Sequence, residues 1–306
     1  MLLTQSAYRR ARQFVAEFGR PLEIARLRVH FDGTPSQIVL DELEKFQNAD
    51  GGFGRALESD LRIRESSALC TETAFQIWRE IGSPRPGGCL VSAIPYLLQT
   101  LDSRHLSWRI VPRMAKPIPQ ATWWNEDGMK ERIAYRLNPT AQLLGTLYDF
   151  RQDVPQDLLG ALTDNVIQTL NESQEIVMHD FLCCKYLAET EGLDAGIRRS
   201  VLYHLERLLD TTVSRNPDEW SAYGLRPVQV ADHMKSPFYP LLTYILPKNL
   251  DFEVAAQQED GSWAPNWAWE DIYAQEWKKA RQEWAGVLVV ERLLLLHRYK
   301  RIEGFL

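Results

Sequence analysis

Two stretches of this chain carry the same local pattern: Phe46-Gln47-Asn48-Ala49-Asp50-Gly51-Gly52-Phe53-Gly54 near the start, and Ala256-Gln257-Gln258-Glu259-Asp260-Gly261-Ser262-Trp263 near the end. Each runs from a helix tail through Gln, a short gap, Asp-Gly and a small residue to an aromatic. The pattern has a mechanical reading. Asp accepts backbone N–H bonds as the chain leaves a helix, Gly tolerates the left-handed exit conformation, and the aromatic re-anchors the chain. One copy is an ordinary turn, but two copies in similar surroundings imply a repeated helix–turn unit, and repeats constrain architecture before any other signal. Asp50 and Asp260 are therefore assigned to capping.

The remaining chain reads as helix. Apolar residues recur at helical spacing throughout, without strand alternation, and breakers interrupt them at intervals. The expected helices are 4–19, 35–48, 67–81, 89–101, 138–150, 156–171, 175–190, 195–211, 220–233, 237–257 and 283–299. They are of two kinds. Ser67 to Ile81, Pro139 to Phe150, Val177 to Glu189 and Trp284 to Leu296 are apolar on most sides, as inner helices are. Pro35 to Gln47, Asp157 to Leu170, Ile197 to Leu209 and Pro237 to Gln257 carry more charge and end in polar turns, as outer helices do. Alternating inner and outer helices point to an all-α fold, a closed ring of helical hairpins forming a single domain over residues 1–306. Two irregular stretches break the pattern. Residues 102–137 hold Pro112, Pro117, Pro119, Asn125, Glu126, Asp127 and Gly128, and 264–282 hold Pro265, Asn266 and Asp271; both read as loops at an end of the ring.

Composition narrows the class. With 306 residues, 45% of them hydrophobic, the chain can bury one large core or two ordinary ones. A net charge of −6, with Lys and Arg scattered, argues against nucleic acid as a partner. No long apolar run suits a membrane span and the N-terminal residues lack an export pattern, so the expectation is a cytoplasmic protein without an integral membrane segment. Cys70, Cys89, Cys183 and Cys184 match no zinc spacing and read as reduced packing residues. No metal or cofactor is expected.

The segment Leu43 to Gly54, a loop, and then Ser66-Ser67-Ala68-Leu69-Cys70-Thr71-Glu72-Thr73-Ala74-Phe75 resembles the repeat shared by protein prenyltransferase β-subunits and squalene or oxidosqualene cyclases. Gln257 to Trp263, followed by Glu283-Trp284-Ala285-Gly286, resembles the same unit, with weaker echoes at Asn138-Pro139-Thr140-Ala141 and His179-Asp180-Phe181-Leu182. The resemblance implies an (α/α)6 toroid whose inner helices enclose an apolar cavity for an isoprenoid, in some relatives paired with a further subunit. The prenyltransferase zinc pattern, Asp-x-Cys with a distant His, is absent, as is the cyclase motif Asp-x-Asp-Asp-Thr-Ala; Cys70-Thr71-Glu72-Thr73-Ala74 places one carboxylate at a comparable helix start.

Loops 55–66 and 264–283 would flank one mouth of such a cavity. Glu58 and Asp60, two residues apart, are a candidate acid pair, though Arg62 or Arg64 would equally tie them down. Glu72 is a carboxylate in an apolar helix, where an unpaired charge is costly. His179 and Asp180 open another inner helix as a candidate acid–base pair, or as ordinary dipole complementation. Trp123, Trp124, Tyr223, Trp267, Trp269, Tyr273, Trp277 and Trp284 offer ring faces for a carbocation or a sugar, or simple packing. Arg62 and Arg226 are candidate substrate contacts, Arg226 for a diphosphate. Three readings follow: a protonation-initiated isoprenoid cyclase, a non-catalytic binder of a lipid or partner segment, and a carbohydrate-active enzyme with paired carboxylates.

Overall fold

A computed structural model describes residues 1–83, 88–112, 119–124 and 137–305, with backbone alone for Asp271 and Ile272. Pro117, Asn125, Glu126, Asp127, Gly128 and the Asp271 side chain lie outside the described residues. Among those residues the chain is all-helical, with thirteen α-helices and no strand beyond isolated bridges. No described helix is long and apolar enough to cross a membrane. The helices sort into two compact units: Leu43–Thr212, and Met1–Glu42 together with Val213–Leu306.

The continuous unit is built from hairpins. Helices α4 (Ala68–Glu80), α6 (Leu137–Asp149) and α8 (Met178–Ala188) are buried on most sides, and α6 packs against both α4 and α8. Helices α5 (Cys89–Thr100), α7 (Gln156–Glu172) and α9 (Ala195–Thr212) follow them in turn. Helix α7 buries one stripe, Leu159, Leu162, Val166 and Leu170, and α9 buries Val201, Leu205, Leu208 and Leu209. The residue spacing explains the difference, because a stripe at positions i, i+3, i+4 and i+7 lets a helix keep one face in water.

The discontinuous unit holds α1 (Gln5–Phe18), α2 (Pro21–Asp32), α10 (Pro227–Val230), α11 (Tyr239–Leu242), α12 (Leu246–Ala255) and α13 (Glu270–Arg298). Helix α3 (Gln37–Glu44) crosses the division between the units. Helix α13 packs against both α1 and α2.

Four expectations are corrected here. Residues 20–34 contain α2, for which no helix was expected; it starts at Pro21, whose missing N–H costs nothing at a helix start. The expected helix 220–233 shrinks to the single turn of α10, since Gly224 and Pro227 break it. The expected helix 237–257 is two helices, α11 and α12, each opening at a proline, Pro240 and Pro247. Helix α13 begins at Glu270, so much of the supposed loop 264–282 is helical, with a kink at Tyr273 (φ −128°, ψ 58°).

The two Asp-Gly turns prove to be one structure built twice. In the first, Asp50 Oδ1 accepts the Gly52 N–H at 2.9 Å, Asn48 N–H donates to Gly52 O at 2.9 Å, and Gln47 Nε2 donates to Gly51 O at 2.7 Å. In the second, Asp260 Oδ1 accepts Ser262 N–H at 2.9 Å, Gln258 N–H donates to Ser262 O at 2.8 Å, and Gln257 Nε2 donates to Gly261 O at 3.0 Å. The same Gln also reaches a neighbouring helix: Gln47 bonds Cys89 O on α5, and Gln257 bonds Ala7 O on α1 at 3.0 Å. Gly51 (φ +87°) lies against Ser92 O of α5, and Gly261 (φ +93°) against the Arg10 carbonyl of α1. Phe53 and Trp263 are buried as the anchoring aromatics, with Trp263 Nε1 donating to Glu253 O at 2.8 Å.

Candidate functional site

The first turn leads directly to a carboxyl group in an unusual setting. Ser67 N–H bonds Phe53 O and Thr71 Oγ1 accepts Phe53 N–H at 3.1 Å, so the turn's aromatic is stitched to the first turn of α4. Ser67 caps that helix, its side chain accepting Cys70 N–H at 3.0 Å. This fixes the register that turns Glu72 inward, where it is only 4% exposed.

Among the described residues no cation pairs with Glu72. Its Oε1 accepts the Cys183 thiol at 3.3 Å from α8, its backbone carbonyl accepts Gln142 Nε2 at 3.4 Å from α6, and its Oε2 meets no partner among the described residues. Gln142 is itself held by Gln76 Nε2 at 2.8 Å. Burial pushes the Glu72 pKa up to about 8; the thiol bond opposes the shift, and the nearby charge of Glu58 adds to it. At neutral pH the group is therefore mostly a neutral carboxylic acid. Burial also raises the Cys183 thiol well above its ordinary value, so it donates to Glu72 as a thiol.

The other expected residues are placed as follows. Glu58 is half-buried and Asp60 buried; Asp60 N–H donates to Glu58 Oε1 at 3.3 Å and Asp60 O accepts Ala121 N–H at 2.8 Å. Arg62 N–H donates to Pro119 O, so residues 119–121 lie along this loop, and its guanidinium reaches Ser59 O at 3.5 Å. Asp180 is buried and accepts Asn138 N–H at 2.9 Å, tying α8 to the start of α6, while His179 beside it is exposed. Trp123 is exposed and Trp124 half-buried in a short 3-10 turn, Thr122–Trp124.

The remaining candidates belong to the other unit. Arg226 is buried, donating through Nε to Glu253 Oε1 at 2.9 Å and through Nη1 to Trp220 O at 3.2 Å, and Arg292 takes the other Glu253 oxygen at 2.6 Å. Tyr223, Trp267 and Trp284 form an edge-to-face series, with centroids 6.0 and 5.1 Å apart. Trp269 and Trp277 are buried against each other at 5.5 Å, and Tyr273 is half-buried at the α13 kink. Glu72 and the Trp267–Trp284 pair thus lie in different units.

Two features escaped the sequence reading. Cys183 as the partner of Glu72 lies 111 positions away and carries no local signal. The effect of Glu58 on Glu72 depends on how the loop folds over α4. Among the described residues, neither unit by itself gathers three His, Cys, Asp or Glu ligand atoms at metal-binding distance. No protein-family model matches this chain, and neither does any curated protein or solved structure.

Proposed function

We propose that the chain is an isoprenoid-handling acid catalyst, an (α/α)6 toroid in which Glu72 donates the proton that starts a cyclisation. The observation that supports this reading is the buried Glu72 carboxyl group, protonated at neutral pH, with Oε2 unpartnered among the described residues. A group of this kind has a proton to give and, among the described residues, no acceptor at Oε2 to give it to. Its pKa of about 8 also selects the acceptor. Proton transfer works best when the donor titrates near the working pH, which suits transfer to an oxygen, such as that of an epoxide, better than transfer to an unactivated alkene carbon.

The step balances as follows. The Glu72 proton passes to the epoxide oxygen, the C–O bonding pair collapses onto that oxygen, and the carbon left electron-poor is captured by the π pair of a nearby alkene to form a C–C bond. A later loss of a proton from carbon closes the sequence, and solvent returns a proton to Glu72. Cys183 holds Oε1, leaving Oε2 as the oxygen that delivers the proton.

Incubation of the full chain with squalene-type hydrocarbons, their terminal epoxides and prenyl diphosphates, followed by mass spectrometry, tests the reading. The expected result is conversion of an epoxide to a product of equal mass, lost in a folded Glu72→Gln variant. Unchanged turnover in that variant would remove Glu72 as the acid.

A further inference from the structure

The loop between the first Asp-Gly turn and α4 borders a half-open pocket of about 520 Å³, lined among the described residues by Asn48, Arg55, Ala56, Arg62, Ile63 and Arg64. Three of these six residues carry guanidinium groups and none carries a carboxylate. Arg55 donates through Nε to Asn48 Oδ1 at 3.0 Å and through Nη1 to Lys45 O at 3.3 Å, both neutral acceptors, which fix the side chain without an ion pair among the described residues. Arg64 is exposed, and its side chain makes no hydrogen bond or ion pair among the described residues. Asn48 Nδ2 donates to Arg64 O at 2.8 Å and to Ser66 Oγ at 3.0 Å, so one amide braces both walls of the pocket.

The backbone adds an independent sign. Arg55 (φ +54°) and Ala56 (φ +60°) are consecutive non-glycine residues in the left-handed region. Side chains adopt that region at a cost, and such strain persists where the surroundings enforce it, most often at ligand sites. Here Ala56 N–H bonds Ile63 O at 3.1 Å and Leu57 N–H bonds Gly54 O at 3.0 Å, which pin the two strained residues. A Gly at position 55 would relieve the strain and would remove the guanidinium.

We infer that this pocket binds a phosphate or pyrophosphate group of a small-molecule ligand, with Arg55, Arg62 and Arg64 as its cationic contacts and Asn48 as a neutral one. Guanidinium groups present paired N–H donors in a plane, matching the spacing of phosphate oxygens, and several of them suit a group of more than one negative charge. The volume exceeds that of the anionic head and leaves room for the moiety attached to it. This assignment goes beyond the acid chemistry proposed for Glu72 and does not depend on it.

Isothermal titration calorimetry on the full chain with inorganic pyrophosphate, orthophosphate and citrate tests it. The expected result is saturable one-to-one binding of pyrophosphate, weaker binding of orthophosphate, and weakening of both with added salt. Because the Arg64 side chain is exposed and makes no hydrogen bond or ion pair among the described residues, Arg64→Gln should melt like the wild type and bind pyrophosphate about tenfold more weakly. Arg55→Gln should weaken pyrophosphate binding to a similar degree, and Arg9→Gln, an exposed arginine outside the pocket, should bind unchanged. Absence of saturable binding, equal weakening in Arg9→Gln, or citrate binding as tightly as pyrophosphate would overturn the assignment.

Discussion

A carboxyl group buried without a cation lowers its cost by keeping its proton, and among the described residues Glu72 is in that position. An ordinary glutamate in the unfolded chain titrates near 4.5, whereas folded Glu72 titrates near 8. Between those values the folded state holds a proton that the unfolded chain has released, so this group's contribution is complete below about 4.5 and declines as pH rises. The slope is about 1.4 kcal/mol per pH unit. Glu72→Gln keeps the shape and removes the titration. Its melting temperature should therefore rise relative to wild type as buffers move from mildly acidic to mildly alkaline; a gap that stays constant across that range would contradict the buried-acid picture. Glu58 supplies the second residue-scale prediction. Its charge raises the Glu72 pKa, so Glu58→Gln should lower it. In a pH–rate profile with a responsive substrate, the alkaline limb, where protonated Glu72 is lost, should move to lower pH; an unmoved limb would separate Glu58 from the acid. The sequence exposes Glu72 itself, a carboxylate within an apolar helix, but it does not expose Cys183, which only the packing of α8 near α4 supplies.

At the scale of elements, the paired turns make a quantitative claim, since two copies of one structure should fail in the same way. A Cβ at Gly51 would sit 2.2 Å from Ser92 O, and one at Gly261 would sit 2.4 Å from the Arg10 carbonyl carbon, both backbone atoms of a packed helix. Gly33 also has positive φ (+66°) but faces open space. Gly33→Ala should therefore cost only the left-handed penalty, about 1 kcal/mol. Gly51→Ala and Gly261→Ala add a backbone clash and should each cost more than about 2 kcal/mol. Denaturant unfolding of the three variants checks the order, and three equal losses would show that the helices yield to the added methyl groups. The turns were legible because their chemistry is local: Asp, Gly and Gln act within a few residues of one another. Helix α2 was not legible because its inward face is disguised. It buries Glu23 and Arg26 alongside Leu22, Ala25 and Leu27, and Glu23 finds Arg20 at 2.8 Å, so charges occupy positions where a periodic reading expects apolar residues. The start of α13 was hidden in the same manner, since Lys278, Lys279, Arg281 and Gln282 are exposed and mask helical spacing until the apolar run after Trp284.

At the scale of the whole molecule, the consequential fact is that one unit is assembled from both ends of the chain. Leu3 N–H bonds Arg301 O at 2.7 Å and Glu303 N–H bonds Leu3 O at 2.9 Å, with Leu3 and Ile302 both buried at this junction. The Arg301 guanidinium reaches Met1 O and Asp251 Oδ1, each at 2.8 Å, and so joins the first residue to α12. Helix α1 then stands to the second Asp-Gly turn as α5 stands to the first, offering carbonyls at Ala7 and Arg10 where α5 offers them at Cys89 and Ser92. In the first copy the supporting helix follows the turn in sequence; in the second it comes from the opposite end of the chain. A helix recruited across nearly the full sequence should depend on the junction that holds it. Ile302→Asp places a charge where the side chain is fully buried, so the junction should open. Hydrogen exchange read by mass spectrometry should then show amides of α1 and of residues 256–263 losing protection together, because Gln257 and Gly261 lose the carbonyls they rest on. Loss confined to residues 299–305, with α1 and the turn still protected, would mean that the junction is a local clasp and that the second turn does not rely on it.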